Sequence, residues 1–195
     1  EYAYSCTLSG EVKSQDLRSS TKDWTVQRFY TPPRLYRFGM TMIDGFSVLS
    51  GQYKSFRNPL TQLPLAKQGR VEITVKPVAK LSTRQQDSPL LLTLIEALPP
   101  GTELVPGSIQ GRYLSVERHP SSLRFVVDGR FQSQIRFAIH GMIPGKWQVP
   151  ATILQRTDQP SRFAIAKQKQ LEVLRAGEKS KDPYRLTPNE LLSIG

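Results

Sequence analysis

The chain has 195 residues and carries 27 Lys and Arg against 16 Asp and Glu, a formal charge of +11. Apolar residues make up 38% and charged residues 22%, which excludes a disordered chain, and no apolar run approaches the roughly 20 residues of a membrane-spanning helix. The single cysteine, Cys6, excludes an internal disulfide and any cysteine-based zinc cluster.

A basic excess of this size makes nucleic acid or an anionic envelope polymer a partner to weigh. Its distribution argues against one. Residues 1–65 hold 8 basic and 5 acidic side chains, residues 66–130 hold 9 and 6, and residues 131–195 hold 10 and 5. No four basic residues are consecutive, so the charge reads as a solvated surface and not as a docking stripe.

The first residues, "EYAYSCTLSG", show no basic stretch followed by an apolar one and no initiating Met, so the chain reads as a processed piece of something longer. Trp24 to Tyr30, "WTVQRFY", is the first credible strand. Beyond it, turn signals at Gly39, Asp44-Gly45 and Gly51 predict short strands, and Arg57 to Gly69 reads as a loop. Residues 1–66 are thus a β-rich segment, either separate or part of the domain that follows.

Period-two alternation dominates from there on. In "RVEITVK", Val71, Ile73 and Val75 alternate with Glu72, Thr74 and Lys76, which predicts one buried and one wet face. Pro77 cannot donate to a ladder, so that strand ends, bulges or lies at an edge there. Leu91 to Ile95 read as a strand covered on both faces or nearly so. "LRFVV" alternates Leu123, Phe125 and Val127. Asp128-Gly129 is the favoured pair for a type I′ hairpin turn. "QIRFAIH" places Ile135, Phe137 and Ile139 on one face, and "KWQV" places Trp147 and Val149 inside. "RFAIAKQKQLEVL" turns Phe163 and Ile165 inward, then Leu171 and Val173. No window sustains helical spacing, and 15 prolines with 13 glycines interrupt the chain. Short alternating strands with turns every 8 to 12 residues or so predict an all-β antiparallel sandwich over residues 67–174. The expected core includes Val71, Ile73, Val75, Phe125, Phe137, Ile139 and Trp147.

Residues 175–195 differ in kind. Arg175 to Arg185 read as a charged linker. Thr187, Pro188 and Glu190 then form a capping box ahead of Leu191, Leu192 and Ile194, the expected start of a following helical domain.

Chemistry-bearing constellations are thin. The two histidines are His119, in "ERHPSS", and His140, at a strand exit; neither sits in a motif with a nucleophile, and no G-x-S-x-G occurs. Metal-ligand spacings and phosphate-cradling glycine motifs are missing as well. "QRFYTPPRLYRFG" is the best basic–aromatic mixture, with Arg28, Arg34 and Arg37 among Phe29, Tyr30, Tyr36 and Phe38. Those aromatics read as strand-packing residues before they read as base-stacking platforms. The expectation is no catalytic residue, no metal ligand and no cofactor.

Residues about 69 to 174 carry a further pattern. An aliphatic strand runs into Leu98, Pro99, Pro100 and Gly101. Later come Ile135, Phe137 and Ile139, then the Pro144-Gly145 turn, and then Pro150-Ala151. This resembles the C-terminal β-sandwich, of macroglobulin type, in bacterial α2-macroglobulin-like proteins. The resemblance implies a non-enzymatic scaffold or interaction module in a larger secreted or envelope-associated protein. Its partners would be neighbouring domains of the parent chain, or another protein. Protease trapping in that family belongs to a bait segment and to a Cys-Gly-Glu-Gln thioester core. Cys6 is followed by Thr-Leu-Ser, so trapping does not carry over. The Leu98–Gly101 corner itself reads as architecture: prolines stop the ladder, and glycine allows a tight turn.

Overall fold

The computed structural model describes residues 17–33, 58–78 and 89–185. Every regular element among them is a strand. A first sheet orders β1 (Trp24–Thr31), β3 (Gln68–Pro77), β9 (Ser133–Gly141) and β5 (Thr102–Leu104), with β6 (Gln110–Gly111) also paired to β9. A second sheet orders β12 (Phe163–Ala166), β11 (Thr152–Arg156), β4 (Leu91–Ala97), β8 (Ser122–Asp128) and β7 (Ser115–His119). A third, small sheet orders β10 (Gly145–Val149), β13 (Lys169–Val173) and β2 (Gln62–Leu63). All pairs are antiparallel except β13 with β2. β1 pairs along its whole length with β3, from Trp24 opposite Pro77 to Thr31 opposite Arg70. Pro77 is the last residue of β3, where its missing donor costs least.

The inward faces of the first two sheets meet in one core. Val71, Ile73, Val75, Phe125, Phe137 and Ile139 are all buried in it. Phe137 is 1% exposed, and truncating such a ring costs roughly 3–5 kcal/mol. Leu98–Gly101 is the corner the prolines predict, because the chain passes there from β4 of the second sheet to β5 of the first. Gly101 has φ 73° and accepts from the Met142 and Ile143 amides at 2.8 and 3.0 Å. A Cβ on Gly101 would lie 2.3 Å from Trp147 Nε1.

That contact corrects the expectation for Trp147. The indole is half-buried: it belongs to the third sheet, covers the Gly101 corner and donates to the Ile143 carbonyl at 3.2 Å. Three further expectations change for reasons of packing. On β12 the inward residues are Ala164 and Ala166, and Phe163 and Ile165 face outward. Ala164 opposes Leu154, whose larger side chain fills the core there. The polar face of β3 is not wet, since Glu72 and Thr74 are 3% and 5% exposed. β3 is a central strand, and Glu72 lies in one row between Phe29 of β1 and Arg136 of β9. On β4 only one face is fully covered: Leu92 and Leu94 are buried, whereas Leu91 is 39% exposed and Ile95 part-exposed.

Asp128-Gly129 is not a hairpin turn. It carries the chain from β8 in one sheet to β9 in the other, and neither residue has positive φ. The Asp128 carboxylate instead accepts from Arg130 Nη2 at 2.6 Å and from the Arg130 amide at 3.1 Å, which holds its pKa below the usual value. Glycine is needed at 129 for space, because a Cβ would lie 2.6 Å from Leu92 Cδ1.

The segment after β13 runs back along the third sheet. Asp182 accepts from the Thr61 and Gln62 amides at 2.7 and 2.8 Å, and Arg185 exchanges two 2.8 Å hydrogen bonds with the Asn58 side chain. The helix expected from Thr187, Pro188 and Glu190 lies outside the described residues.

Candidate functional site

Among the described residues, the most concentrated polar chemistry lies between the sheets. Alternation on β1 puts Trp24, Val26, Arg28 and Tyr30 on the core side, and Arg28 stands opposite the buried Ile73. Alternation on β4 likewise turns Leu92, Leu94 and Glu96 inward. Arg28 and Glu96 therefore meet across the sandwich, 3.1 Å from Nη1 to Oε1, with side chains at 0% exposure. Arg28 also donates to the Pro150 carbonyl at 2.7 Å and the Lys167 carbonyl at 3.2 Å. Thr152 donates to the second Glu96 oxygen at 2.5 Å, and the Tyr30 ring lies 5.5 Å from the guanidinium carbon.

Burial pushes the Glu96 carboxyl above its ordinary range, against the pull of Arg28 and of the Thr152 hydrogen bond. The Tyr30 phenol is held above its ordinary value by burial and by Glu96. No solvent reaches the pair, so it has no route to substrate. Its chemistry is a polar clamp joining β1, β4 and the β11 entry. Sequence reasoning missed Glu96 and Thr152. The signal was present in "LLLTLIEALPP", where a carboxylate occupies the inward phase of an aliphatic strand.

Arg28 is thus withdrawn from any anion-binding surface, at 2% exposure. Tyr30 is 5% exposed, a core residue as its alternation implies. Phe29 faces outward beneath Lys169, whose ammonium lies 5.2 Å from the ring centroid and whose pKa is lowered by burial and by Arg28. Arg34, Tyr36, Arg37, Phe38 and Cys6 lie outside the described residues. Several other cations have a carboxylate beside them: Arg130 with Asp128, Arg156 with Asp158, Arg162 with Asp23, Arg124 with Glu117 and Lys146 with Glu172.

The two histidines are on different sheets. His119 ends β7 and lies 3.8 Å from Glu117, and its turn is the Pro120-Ser121 pair that follows. His140 is on β9, opposite Gln68 and Glu103. Among the described residues, no three His, Cys, Asp or Glu side chains gather as a metal site. Two surface grooves of about 410 and 440 Å³ exist. The first runs between Pro32, Pro59, Pro64 and Pro183, and the second lies along β1 beside Ala164 and Ile165. The first also carries Ser180 and Asp182, but the Ser180 hydroxyl accepts from the Asp182 amide and the Asp182 carboxylate is taken up by the Thr61 and Gln62 amides. Among the described residues, no helix is long and apolar enough to cross a membrane.

No known family profile and no curated protein matches the chain. Solved structures do. Native Escherichia coli α2-macroglobulin, spanning domain MG7 to the C-terminus, superposes with a TM-score of 0.56 at 15% identity, over 80% of this chain and 24% of that one. The native conformation of E. coli α2-macroglobulin gives 0.55 at 16%, over 89% and 10%. Salmonella α2-macroglobulin reacted with methylamine gives 0.55 at 13%, over 82% and 10%. The chain spans under a quarter of the length of each. At these identities the likeness is one of fold. The chain has the β-sandwich fold found in the C-terminal part of bacterial α2-macroglobulins.

Proposed function

We propose that the chain is a non-enzymatic scaffold or interaction module of a larger, secreted or envelope-associated α2-macroglobulin-like protein. The observation that carries this reading is the disparity in coverage: four-fifths or more of this chain superposes on 10–24% of much longer chains. The polar chemistry agrees with it, since the densest polar cluster among the described residues is sealed between the sheets. In this reading residues 67–174 are the sandwich proper, residues 1–66 supply β1 and β2 to its sheets, and residues 175–195 lead into a following domain. The partners are neighbouring domains, and no cofactor takes part.

The test is the size and compartment of the native polypeptide. An antibody raised against the chain should detect a band far above 22.0 kDa in secreted, periplasmic or envelope fractions of the producing cell. A 22 kDa cytoplasmic band refutes the proposal.

A further inference from the structure

The outward face of the second sheet has a composition that a solvated sheet face does not need. Pairing sets Ile165 beside Ile153 and Ile153 beside Ile95, so three isoleucines form a row across β12, β11 and β4. All three are part-exposed. In the adjoining row Phe163 and Val126, both part-exposed, flank Gln155 and the 9%-exposed Thr93, and Leu91 adds 39% exposure at the start of β4. An antiparallel sheet with one face on the core normally presents polar residues on the other. The first sheet is more polar on that side, with Thr25, Gln27, Arg70, Lys76, Gln134 and Arg136 outward and only Phe29 and Ala138 as outward apolar residues on β1, β3 and β9.

Several of the charges that border the strip are paired, and two exposed lysines, Lys22 and Lys167, lie close to Ile165. Arg124 lies 3.7 Å from Glu117 on β8 and β7, Arg156 lies 2.5 Å from Asp158, and Arg162 is bonded to Asp23 near the β11–β12 turn. A chain of formal charge +11 thus keeps one aliphatic-rich surface with most of its bordering charges paired.

We infer that this strip is the docking face for a second domain of the same polypeptide, one presenting a flat aliphatic surface of low net charge. The inference rests on the module reading above. Size selects the occupant. Four strands about 4.8 Å apart and two to three outward positions about 7 Å apart give a footprint of roughly 300–400 Å². Counting both sides, that is roughly 600–800 Å², inside the range of interdomain contacts in one chain and below the 1,200–2,000 Å² or so of stable separate partners. A tether removes most of the translational cost that a small interface cannot meet. A second copy would bring the same small area and another +11. A polyanion would find Arg124, Arg156 and Arg162 already paired, leaving it only isolated lysines at the edge.

The test compares thiol labelling at Ile153→Cys in the full-length polypeptide and in the isolated 195-residue chain, both with Cys6→Ser, read by peptide mass mapping. Met142→Cys, at a position 52% exposed on a loop of the opposite sheet, is the control. Labelling of Ile153→Cys should slow about ten-fold or more in the full-length protein, the effect of a contact worth at least about 1.4 kcal/mol. Met142→Cys should label alike in both. Ile95→Cys repeats the measurement if Ile153→Cys does not fold. Equal rates at Ile153 in both contexts overturn the inference and leave the module reading intact. Protection in the isolated chain that grows with concentration also overturns it, in favour of a second copy. If no larger polypeptide contains the chain, the module reading fails first, and the immunoblot above shows it.

Discussion

Removing the Glu96 carboxylate is the sharpest perturbation of this fold. Arg28 stays 2% exposed, keeping its two backbone carbonyls and losing its counter-charge, and a guanidinium cannot shed its proton. Stranding one member of a buried pair costs roughly 3–5 kcal/mol. Glu96→Leu should therefore lose that much in urea unfolding at pH 7. With a slope of about 2 kcal/mol/M, the midpoint falls by roughly 1.5–2.5 M. Arg28→Met behaves differently, because it strands an acid that can take up a proton. Burial already raises the Glu96 pKa, and deleting Arg28 removes an influence that lowers it. The folded carboxyl then keeps its proton at pH values where the unfolded one, near 4.3, has lost it. The folded state binds more protons in that window, so stability falls as pH rises through it and is fully retained below it. Arg28→Met should thus approach the parent near pH 4 and fall progressively behind toward neutrality. Replacing the whole unit, Arg28→Met with Glu96→Leu and Thr152→Val, should come within about 1–2 kcal/mol of the parent or exceed it. A Glu96→Leu loss under about 1 kcal/mol refutes the clamp. So does additivity of the two single losses within about 0.5 kcal/mol in the double variant.

Gly101→Ala forces a side chain into positive φ and against Trp147 Nε1; we expect a loss of about 1–3 kcal/mol with altered tryptophan emission, and unchanged emission argues against this corner. Asp182→Ala removes the acceptor of the Thr61 and Gln62 amides, so hydrogen exchange at those two amides should accelerate while the β3 amides stay protected. With Arg28 inside the core and several surface cations beside carboxylates, binding to DNA or heparin should be weak and vanish near physiological salt. Submicromolar binding that persists at about 0.2 M salt shows instead that the charge serves recognition.

Local pattern was enough to place most strands and the sheet-changing corner. Period two in "RVEITVK", "LRFVV" and "QIRFAIH" identifies inward residues because side chains on a strand alternate by geometry alone. Leu98-Pro-Pro-Gly marks the passage between sheets because two prolines cannot extend a ladder. Where local pattern misled, the missing quantity was the neighbour. Nothing in "RFAIA" says that Leu154 lies opposite Ala164 and makes the small residue the inward one. Nothing near Trp147 says that Gly101 would come beneath its ring. Asp128-Gly129 has the composition of a hairpin turn, but its strands belong to different sheets.

The candidate surfaces divide in the same way. Sequence by itself determined the strand content, the core phase of most strands and the lack of catalytic and metal-binding motifs, because each depends on residues within a few positions of one another. Only tertiary structure decided that Arg28 is a core residue and not a surface cation, because its partner Glu96 is 68 positions away on the other sheet. Tertiary structure also assembled Ile95, Ile153 and Ile165 into one row from three strands. Alternation tells which side of a strand a residue takes; strand order and register, set by long-range pairing, decide what waits on that side.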